Sequence, residues 1–429
     1  MVSRLKGFFS NDSDRGLFLR ATTLLAGGTA AGQLIALLAS PVISRLYSPA
    51  EAGTLGTFAT VLSCIAPIAC LRYEAAIALP KEEERATRLL VLCVLGSLSV
   101  ALATAVFLAF FGGWLANVCH DPSLVKFLWL MPISLAGVGV YQAFNYWAVR
   151  QREFGLAART KIVQGTVQAG CQVGLGLAKT GTLGLILGDV LGRVSGAGSI
   201  AWLAWRQHKA QVLATKLADV KEVAEEYRLF PLVSGPATLL HTATSNFTLV
   251  LAPLYGPVVY GFYYFGTRFL WGPVSLVGQA MAQVYLGEAS RWAREDPVRL
   301  LRAFDQIVRR LALFGLVPFG LLALFGAPLT SLVFGKQWYQ AGVLVQIQAV
   351  SWWAMFVVGP VLNTLNILQK QSWQLWADTW GVVAMGIGFW ASWRNGWSAQ
   401  VAVGIYSGVI IVMYVWLFLA CRRAIVLDL

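Results

Sequence analysis

Six charged residues lie within stretches of the sequence that are otherwise apolar enough to cross a membrane: Arg72, Glu74, Asp189, Arg193, Arg268 and Asp378. A charge in the hydrocarbon core costs roughly 3 kcal/mol on insertion scales. Membrane proteins that retain such residues use them on a transport pathway or pair them with each other. These six side chains are therefore the first candidates for function. The arginines among them could bind an anion through paired hydrogen bonds.

The composition is unlike that of a soluble domain. Of the 429 residues, 57% are hydrophobic and 12% are charged, whereas about a quarter of the residues in a soluble domain are charged. The apolar residues are spread along the whole length, which indicates a polytopic membrane protein. No cleavable signal peptide is expected, because a polar, charged N-terminus leads directly into a long apolar stretch.

Stretches of about 20 mostly apolar residues predict membrane-spanning helices. Twelve occur, near 18–44, 53–79, 86–111, 125–149, 160–179, 182–205, 229–254, 258–285, 306–334, 340–368, 373–392 and 398–420. With the N-terminus in the cytoplasm, 25 of the 33 Lys and Arg residues fall on the cytoplasmic side, five on the opposite side and three inside spans. This positive-inside bias predicts both termini in the cytoplasm. It also explains the net charge of +13 without nucleic acid.

A short motif occurs twice, half a chain apart. Leu-Tyr-Ser-Pro at 46–49, followed by Gly53, is similar to Leu-Tyr-Gly-Pro at 254–257, followed by Gly261. Each copy falls at the outer turn after the first span of a six-span half. The shared orientation predicts a parallel repeat, an architecture known among transporters.

The repeat predicts an N-terminal lobe (1–205) and a C-terminal lobe (229–429). Between them, residues 206–228 place apolar residues at helical spacing among charges, which predicts a cytoplasmic amphipathic linker.

The chain has no P-loop, no His/Cys cluster with metal-ligand spacing and no paired carboxylates on an accessible loop. The six cysteines lie mostly in apolar segments, which is typical of packing residues. We therefore expect no metal, no cofactor and no enzymatic activity.

Two stretches near the N-terminus carry a family resemblance. Ala-Ser-Pro-Val-Ile-Ser-Arg-Leu-Tyr-Ser-Pro at 39–49, followed by Gly53, is the first, and Leu-Arg-Tyr-Glu-Ala-Ala-Ile-Ala-Leu-Pro at 71–80 is the second. Both resemble the N-terminal signatures of bacterial oligosaccharide (O-antigen) flippases of the Wzx type. Those proteins belong to the MOP superfamily, which also holds the MATE exporters. The specific motifs cover roughly residues 17–90, and the rest of the chain matches in hydropathy and span number.

The resemblance implies two six-helix lobes in a V shape around a central cavity. It also implies an activity: moving an undecaprenyl-diphosphate-linked oligosaccharide from the cytoplasmic to the periplasmic leaflet of the bacterial inner membrane by alternating access. An ion gradient is attributed to some members of the family. The implied partners are the lipid-linked glycan, membrane lipid, and proteins that polymerise the polysaccharide or set its chain length.

Arg268 carries the strongest functional prediction among the six charges. It lies eleven residues into the eighth predicted span, about 16 Å deep at a rise of about 1.5 Å per residue. No acid stands three or four positions away on its helix. We expect it to face a watery cavity or to pair across helices, and its guanidinium fits the oxygens of a diphosphate headgroup. Tyr264 and Trp271 are candidates for stacking on sugar rings beside it.

Asp189 and Arg193 are four residues apart in the sixth predicted span, so they share one helix face. One interpretation is a structural pair that neutralises itself. The other is a cavity-facing pair, with Arg193 a substrate-binding residue and Asp189 a proton or cation site. The sequence leaves both interpretations open.

Arg72 and Glu74 are two residues apart, so they do not face each other on a helix. Arg72 either reaches the membrane interface or, as the family stretch favours, binds substrate in a cavity, with Glu74 as an ion-coupling candidate.

Asp378 lies about 8 Å into the eleventh span by the helical rise and is expected at the interface. His241, near the middle of the seventh span, is another ion-coupling candidate because His titrates in the range that a proton gradient uses.

A lipid-linked oligosaccharide flippase is the first functional hypothesis. A MATE-like exporter of small cations is the alternative, but it requires acids at mid-membrane, where this chain has Arg193 and Arg268. A polyprenyl-linked glycan polymerase or transferase is a weaker alternative, because such enzymes generally carry sizeable outer loops. The sugars, the coupling ion and the oligomeric state stay open.

Overall fold

The computed structural model describes residues 14–427, except 237, 240, 241 and 243–245. Every regular element of this described part is helical. The α-helices are α1 (Asp14–Leu46), α2 (Pro49–Ile65), α3 (Glu83–Val118), α4 (Leu130–Arg150), α5 (Phe154–Leu177), α6 (Thr182–Ser195), α7 (Ala197–Ala214), α8 (Leu217–Glu226), α9 (Leu251–Gly266), α10 (Gly272–Glu295), α11 (Pro297–Phe334), α12 (Tyr339–Val358), α13 (Asn363–Ile367), α14 (Gln371–Arg394) and α15 (Ala399–Leu427).

Several of these helices are long and apolar enough to cross a membrane. Within the described residues, eight helical segments qualify: Gly27–Leu46, Pro49–Ile68, Glu83–Val118, Thr182–Trp202, Phe247–Trp271, Pro297–Phe334, Lys336–Ile367 and Ala399–Leu427. The all-α, polytopic fold class is therefore confirmed. Helices α4, α5 and α14 coincide with predicted spans but are less apolar, and the predicted span 229–254 includes undescribed residues. The count of twelve spans stays a prediction.

The chain forms two compact units. The first comprises Met1–Tyr47 with Thr54–Leu249, and the second comprises Ser48–Gly53 with Val250–Leu429. In the first unit, α5 packs against α1 and α6, and α3 packs against α4. In the second unit, α12 packs against α11, α9 and α15. The predicted lobes 1–205 and 229–429 and the linker 206–228 stay predictions.

The second predicted span, 53–79, is α-helical only as far as Ile65. Beyond it the chain follows short 3-10 turns at Ala66–Ile68 and Tyr73–Ala76. The α-helix cannot continue because Pro67 lacks a backbone N–H, and because Leu71 and Arg72 adopt left-handed backbone with φ of 54° and 67°. Non-helical backbone within a membrane is tolerated where it is buried in protein or lines a water-filled cavity.

A buried cluster in the first unit covers this non-helical segment. It joins side chains of the segment itself with side chains of α3, α4, α7 and α8: Cys70, Tyr73, Ala76, Ile77, Leu89, Leu90, Cys93, Tyr141, Ala143, Trp147, Ala148, Ala197, Ile200 and Val223. Polar contacts also cross the cluster, because the Tyr73 hydroxyl donates to the Ala224 carbonyl at 3.1 Å. Arg150 Nη1 donates to the Ile77 carbonyl at 3.0 Å. The segment is therefore held from several sides.

The polar stretch 206–228 comprises the end of one helix and the whole of the next. Helix α7 ends at Ala214, and α8 begins at Leu217. Helix α8 lies against α3 through ion pairs of Arg88 with Asp219 and Glu222, each at 3.9 Å, and of Arg85 with Glu226 at 3.2 Å. Because α8 binds α3 through opposite charges, this part of the stretch packs on protein.

The two copies of the repeated motif meet each other in the second unit. A side-chain carbon at Gly53 would overlap the carbonyl oxygen of Pro257, and one at Gly261 would overlap the carbonyl oxygen of Pro49. Gly53 and Gly261 hold equivalent motif positions, as do Pro49 and Pro257. The contact is therefore reciprocal, as at a two-fold axis, where the same patch meets itself. This symmetry agrees with the predicted parallel repeat.

The reciprocal contact predicts that neither glycine accepts a methyl group. We expect Gly53→Ala and Gly261→Ala each to lower the melting temperature in detergent, because overpacking costs about 1–3 kcal/mol. Gly408→Ala is the matched control: Gly408 lies inside α15 with no atom near its added carbon. Alanine there is expected to be neutral or to stabilise by up to about 1 kcal/mol. Equal melting temperatures for Gly261→Ala and Gly408→Ala would contradict the crossing.

Candidate functional site

Arg268 lies on an irregular turn between two helices. Helix α9 ends at Gly266, a π-helical turn covers Thr267–Trp271, and α10 begins at Gly272. Proline has no backbone N–H, so Pro273 cannot donate the α-helical hydrogen bond to the carbonyl of Phe269. The preceding N–H, that of Gly272, bonds the carbonyl of Thr267, five residues back, and this longer span makes the turn wider than an α-helical one. Single π-helical turns inside α-helices are frequent at functional sites.

The guanidinium of Arg268 is held among aromatic side chains. Its Nη1 donates to the Tyr264 hydroxyl at 2.9 Å. Its Cζ lies 5.7 Å from the Tyr264 ring centroid and 5.6 Å from that of Phe269, which is cation–π distance. Arg268 is half-buried. The structure thus brings two predicted site residues, Arg268 and Tyr264, into direct contact.

Trp271, the third aromatic candidate of this region, contacts a different helix. Its ring centroid lies 5.8 Å from that of Trp352 on α12. Trp271 is half-buried, so one part of the ring is accessible while another packs on Trp352. Phe269, which sequence reasoning did not single out, lies against the Arg268 guanidinium. The signal for Phe269 was its position next to the arginine.

Asp189 and Arg193 form a tight ion pair on α6. Arg193 Nε donates to Asp189 Oδ2 at 2.6 Å. The other carboxylate oxygen, Oδ1, accepts from Gln168 Nε2 at 2.7 Å. The Asp189 side chain is 1% exposed and that of Arg193 is 31% exposed. Because both carboxylate oxygens are bonded, the contacts favour the structural interpretation of this pair.

A row of glutamines on α5 supports the same helix pair. Gln164, Gln168 and Gln172 are four residues apart, and Gln164 and Gln172 donate to backbone carbonyls of Arg193 and Leu185 at 3.1 and 3.0 Å. Sequence reasoning missed these residues. The available signal was their four-residue spacing opposite glycines at the same spacing on α6, a pattern that lets polar side chains bridge membrane helices.

Arg72 and Glu74 also form an ion pair, contrary to the expectation that they do not face each other. Arg72 Nη1 lies 3.1 Å from Glu74 Oε1. The expectation assumed a helix, whereas Arg72 has left-handed backbone at the start of a 3-10 turn. The Glu74 side chain is 2% exposed and that of Arg72 is 24% exposed. Glu74 Oε2 and Arg72 Nε are buried, and no hydrogen-bond partner for them is found in the described part of the chain.

Two further candidate residues, Asp378 and His241, are not part of the contacts described above. Asp378 is exposed in the second turn of α14. His241 lies outside the described residues, so its ion-coupling role stays a prediction. Within the residues that the structure describes, no group of three or more His, Cys, Asp or Glu side chains is positioned to hold a metal ion.

The family of the chain follows from its sequence. Residues 34–342 match the family described as polysaccharide biosynthesis protein. Because this match covers well over half of the chain, the protein belongs to that family, and the predicted resemblance is confirmed. No curated protein matches the chain.

Solved structures show the same fold. An inward-facing multidrug resistance MATE transporter of the MOP superfamily has a TM-score of 0.70 and 15% identity, covering 92% of this chain and 95% of its own. An outward-facing one has a TM-score of 0.57 and 14% identity, covering 95% and 96%. A MOP superfamily transporter from Pyrococcus furiosus, described as having a binding pocket of reverse polarity that suggests a different function, has a TM-score of 0.58 and 12% identity, with coverage of 95% and 96%. The chain therefore has the fold of MOP superfamily transporters.

The bonded state of Asp189 predicts the outcome of a double substitution. We expect Arg193→Ala to lower the free energy of unfolding by about 3–5 kcal/mol, because it leaves a buried carboxylate without its charge partner. Arg193→Ala combined with Asp189→Ala should cost less, since no charge is then left unpaired. Thermal unfolding in detergent measures both. A double variant that is less stable than Arg193→Ala alone would contradict the structural pairing.

Proposed function

We propose that this protein is a flippase that moves a polyprenyl-diphosphate-linked oligosaccharide, such as an O-antigen unit, across the bacterial inner membrane. The observation that carries the proposal is Arg268, a half-buried guanidinium on a π-helical turn within a long apolar segment. Its fork of donors matches diphosphate oxygens. Membership of the polysaccharide biosynthesis family supports a glycan as the other part of the substrate.

The aromatic surroundings of Arg268 suit an amphipathic substrate. Tyr264 and Phe269 lie on the guanidinium, and Trp271 is half-buried nearby along the chain. Aromatic faces can stack on sugar rings while an arginine binds the phosphates. Arg72 is the second candidate for the headgroup because its side chain is one-quarter exposed. We assign Asp189 and Arg193 a supporting role in this scheme.

Direction and energy supply follow from the sequence arguments. The excess of Lys and Arg on one side predicts both termini in the cytoplasm, so the substrate would leave the cytoplasmic leaflet and reach the periplasmic one. An ion gradient would drive the alternation of access, with Glu74 and His241 as candidates for the coupling group. A polysaccharide polymerase would then use the delivered unit.

A MATE-like exporter of small cations is the second candidate function, since several MATE transporters share the fold. The charge of the candidate site argues against it. A cationic substrate would meet the Arg268 guanidinium at about helix mid-depth, and like charges in a low-dielectric site repel strongly. The described pocket of reverse polarity in a MOP relative shows that this fold is associated with more than one pocket charge.

Substitution of Arg268 tests the proposal directly. In proteoliposomes with a fluorescent polyprenyl-diphosphate oligosaccharide, we expect Arg268→Ala to lower the translocation rate at least about tenfold, the loss of one charge-assisted hydrogen bond or more. Arg268→Lys should retain an intermediate rate, because lysine keeps the charge but not the bidentate fork. The rate is read from the fraction of label that an impermeant reagent reaches.

Two controls make this experiment specific. Arg294→Ala removes an exposed arginine from the end of the next helix, α10, and should translocate at the wild-type rate. A cationic dye tested in the same vesicles represents the exporter hypothesis. A normal oligosaccharide rate in Arg268→Ala would remove Arg268 from the mechanism. Transport of the dye without the oligosaccharide would favour the exporter.

A further inference from the structure

The first unit contains two buried carboxylates that are each paired with one arginine, and their bonding differs. Asp189 uses both oxygens, one with Arg193 and one with Gln168. Glu74 uses Oε1 with Arg72, while Oε2 is buried without a hydrogen-bond partner in the described part of the chain. Arg72 Nε is likewise buried and unpartnered there. The first pair is saturated, and the second is not.

The unsaturated pair lies where the backbone is already irregular. Arg72 follows Leu71, and both have positive φ, which non-glycine residues adopt only when the surroundings enforce it. The segment is fixed from outside by the Tyr73 hydroxyl on the Ala224 carbonyl and by Arg150 on the Ile77 carbonyl. Its backbone is thus held in place while the Arg72 side chain, 24% exposed, can change partner.

A change of partner by Arg72 has a definite consequence for Glu74. A carboxylate that is 2% exposed and has lost its guanidinium is costly in the charged form. It becomes neutral by taking up one proton. The Oε2 atom can accept this proton because no hydrogen-bond donor occupies it.

We infer that the Arg72–Glu74 pair is an anion–proton exchange site, in which a diphosphate group takes Arg72 from Glu74 while Glu74 takes up one proton. This inference rests on the proposed function, since it makes the lipid-linked diphosphate the anion. One N–H···O bond to Glu74 is replaced by one to a phosphate oxygen, and one proton passes from water to the carboxylate. Release of the diphosphate reverses both changes, so the proton moves outward with the anion, and the membrane potential, which favours outward movement of the remaining negative charge, supplies the driving force.

The surroundings favour a proton over a metal cation at Glu74. The Arg72 guanidinium, 3.1 Å away, repels a cation that would bind the same carboxylate. The other ionisable groups around the segment come from each element packed on it: Cys70 and Tyr73 of the segment, Cys93 of α3, Tyr141 and Arg150 of α4, and Glu226 of α8, which pairs with Arg85 of α3. Tyr227, which follows α8, also packs on the cluster. The acids of α8 that face α3, Asp219, Glu222 and Glu226, are already paired with Arg88 and Arg85. A ligand set for a metal ion is therefore not assembled among them.

Proton uptake on ligand binding tests the inference. Purified protein in detergent is titrated at pH 7.5 in weak buffer with a short polyprenyl diphosphate and, in a second arm, with inorganic pyrophosphate. A pH indicator reports the protons taken up. Glu74→Gln keeps the shape of the side chain but cannot titrate, and any proton change of the ligand itself is common to both proteins. We expect wild-type protein to take up about one proton more per bound ligand than Glu74→Gln.

Further variants keep the test decisive. Asp189→Asn, which alters the saturated pair, should retain the wild-type uptake. Should Glu74→Gln fail to fold, Arg72→Gln replaces it: Glu74 is then protonated before ligand arrives, so the extra uptake is lost. In the pH range where uptake occurs, the affinity of wild-type protein should fall about tenfold for each unit by which the pH rises. The affinity of Glu74→Gln should fall less. The relative affinities of the two ligands tell whether the lipid or the diphosphate alone is sufficient.

Two outcomes overturn the inference in distinguishable ways. Equal proton uptake by wild type and Glu74→Gln, with both binding the polyprenyl diphosphate, would overturn the exchange and leave the proposed function intact. Failure of the wild-type protein to bind the polyprenyl diphosphate in either form of the assay would overturn the proposed function and the exchange together.

Discussion

The hydrocarbon core of a membrane offers no hydrogen-bond partners, and most features of this structure follow from that constraint. Long helices satisfy their own peptide groups, which is why the regular elements of the described residues are helical. The exceptions are informative. The 3-10 turns within 66–76 and the π-helical turn Thr267–Trp271 interrupt apolar segments at an arginine, whereas the π-helical turn Phe230–Ser234 and the 3-10 turn Gly359–Val361 hold no charged residue. An arginine and an irregular backbone carry separate costs, so their coincidence points to function.

Close approach of helices is the second consequence of the same constraint. Lipid tails are as apolar as leucine, so membrane helices associate through tight packing and polar bridges. The glutamines of α5 bridge to α6 in this way, and they leave Asp189 with no free oxygen. The reciprocal contact of Gly53 with Pro257 and of Gly261 with Pro49 shows the tight packing. The contacts that hold the helices together are thus distinct from the half-saturated pair of Arg72 and Glu74.

Much of this organisation could be predicted from sequence because it depends on patterns within single segments. Apolar length identified the membrane class, and the motif at 46–49 and 254–257 predicted equivalent positions that meet in the structure. The i,i+4 spacing of Asp189 and Arg193 predicted their shared face. Spacing rules failed where the helix itself ended: Arg72 and Glu74 pair because of left-handed backbone, which no periodicity reveals. Pro67 and Pro273 were the available signals for the breaks, yet a proline alone does not say which irregular turn will form.

The repeat gives the two arginines a relation that neither has alone. Arg72 and Arg268 lie in the second predicted span of their respective halves, 19 residues after Gly53 and seven residues after Gly261. They therefore stand at different distances from the equivalent turns of the two motif copies. Under the proposed function, each of these segments would offer a diphosphate a guanidinium at a depth of its own. Stepwise crossing needs intermediate binding sites of moderate affinity. A site that binds too tightly would hold the anion, and a site that binds too weakly would not offset the cost of its desolvation. The pairing of Arg72 with an incompletely bonded carboxylate then lowers the affinity of one such site, because the anion must displace Glu74 to bind there.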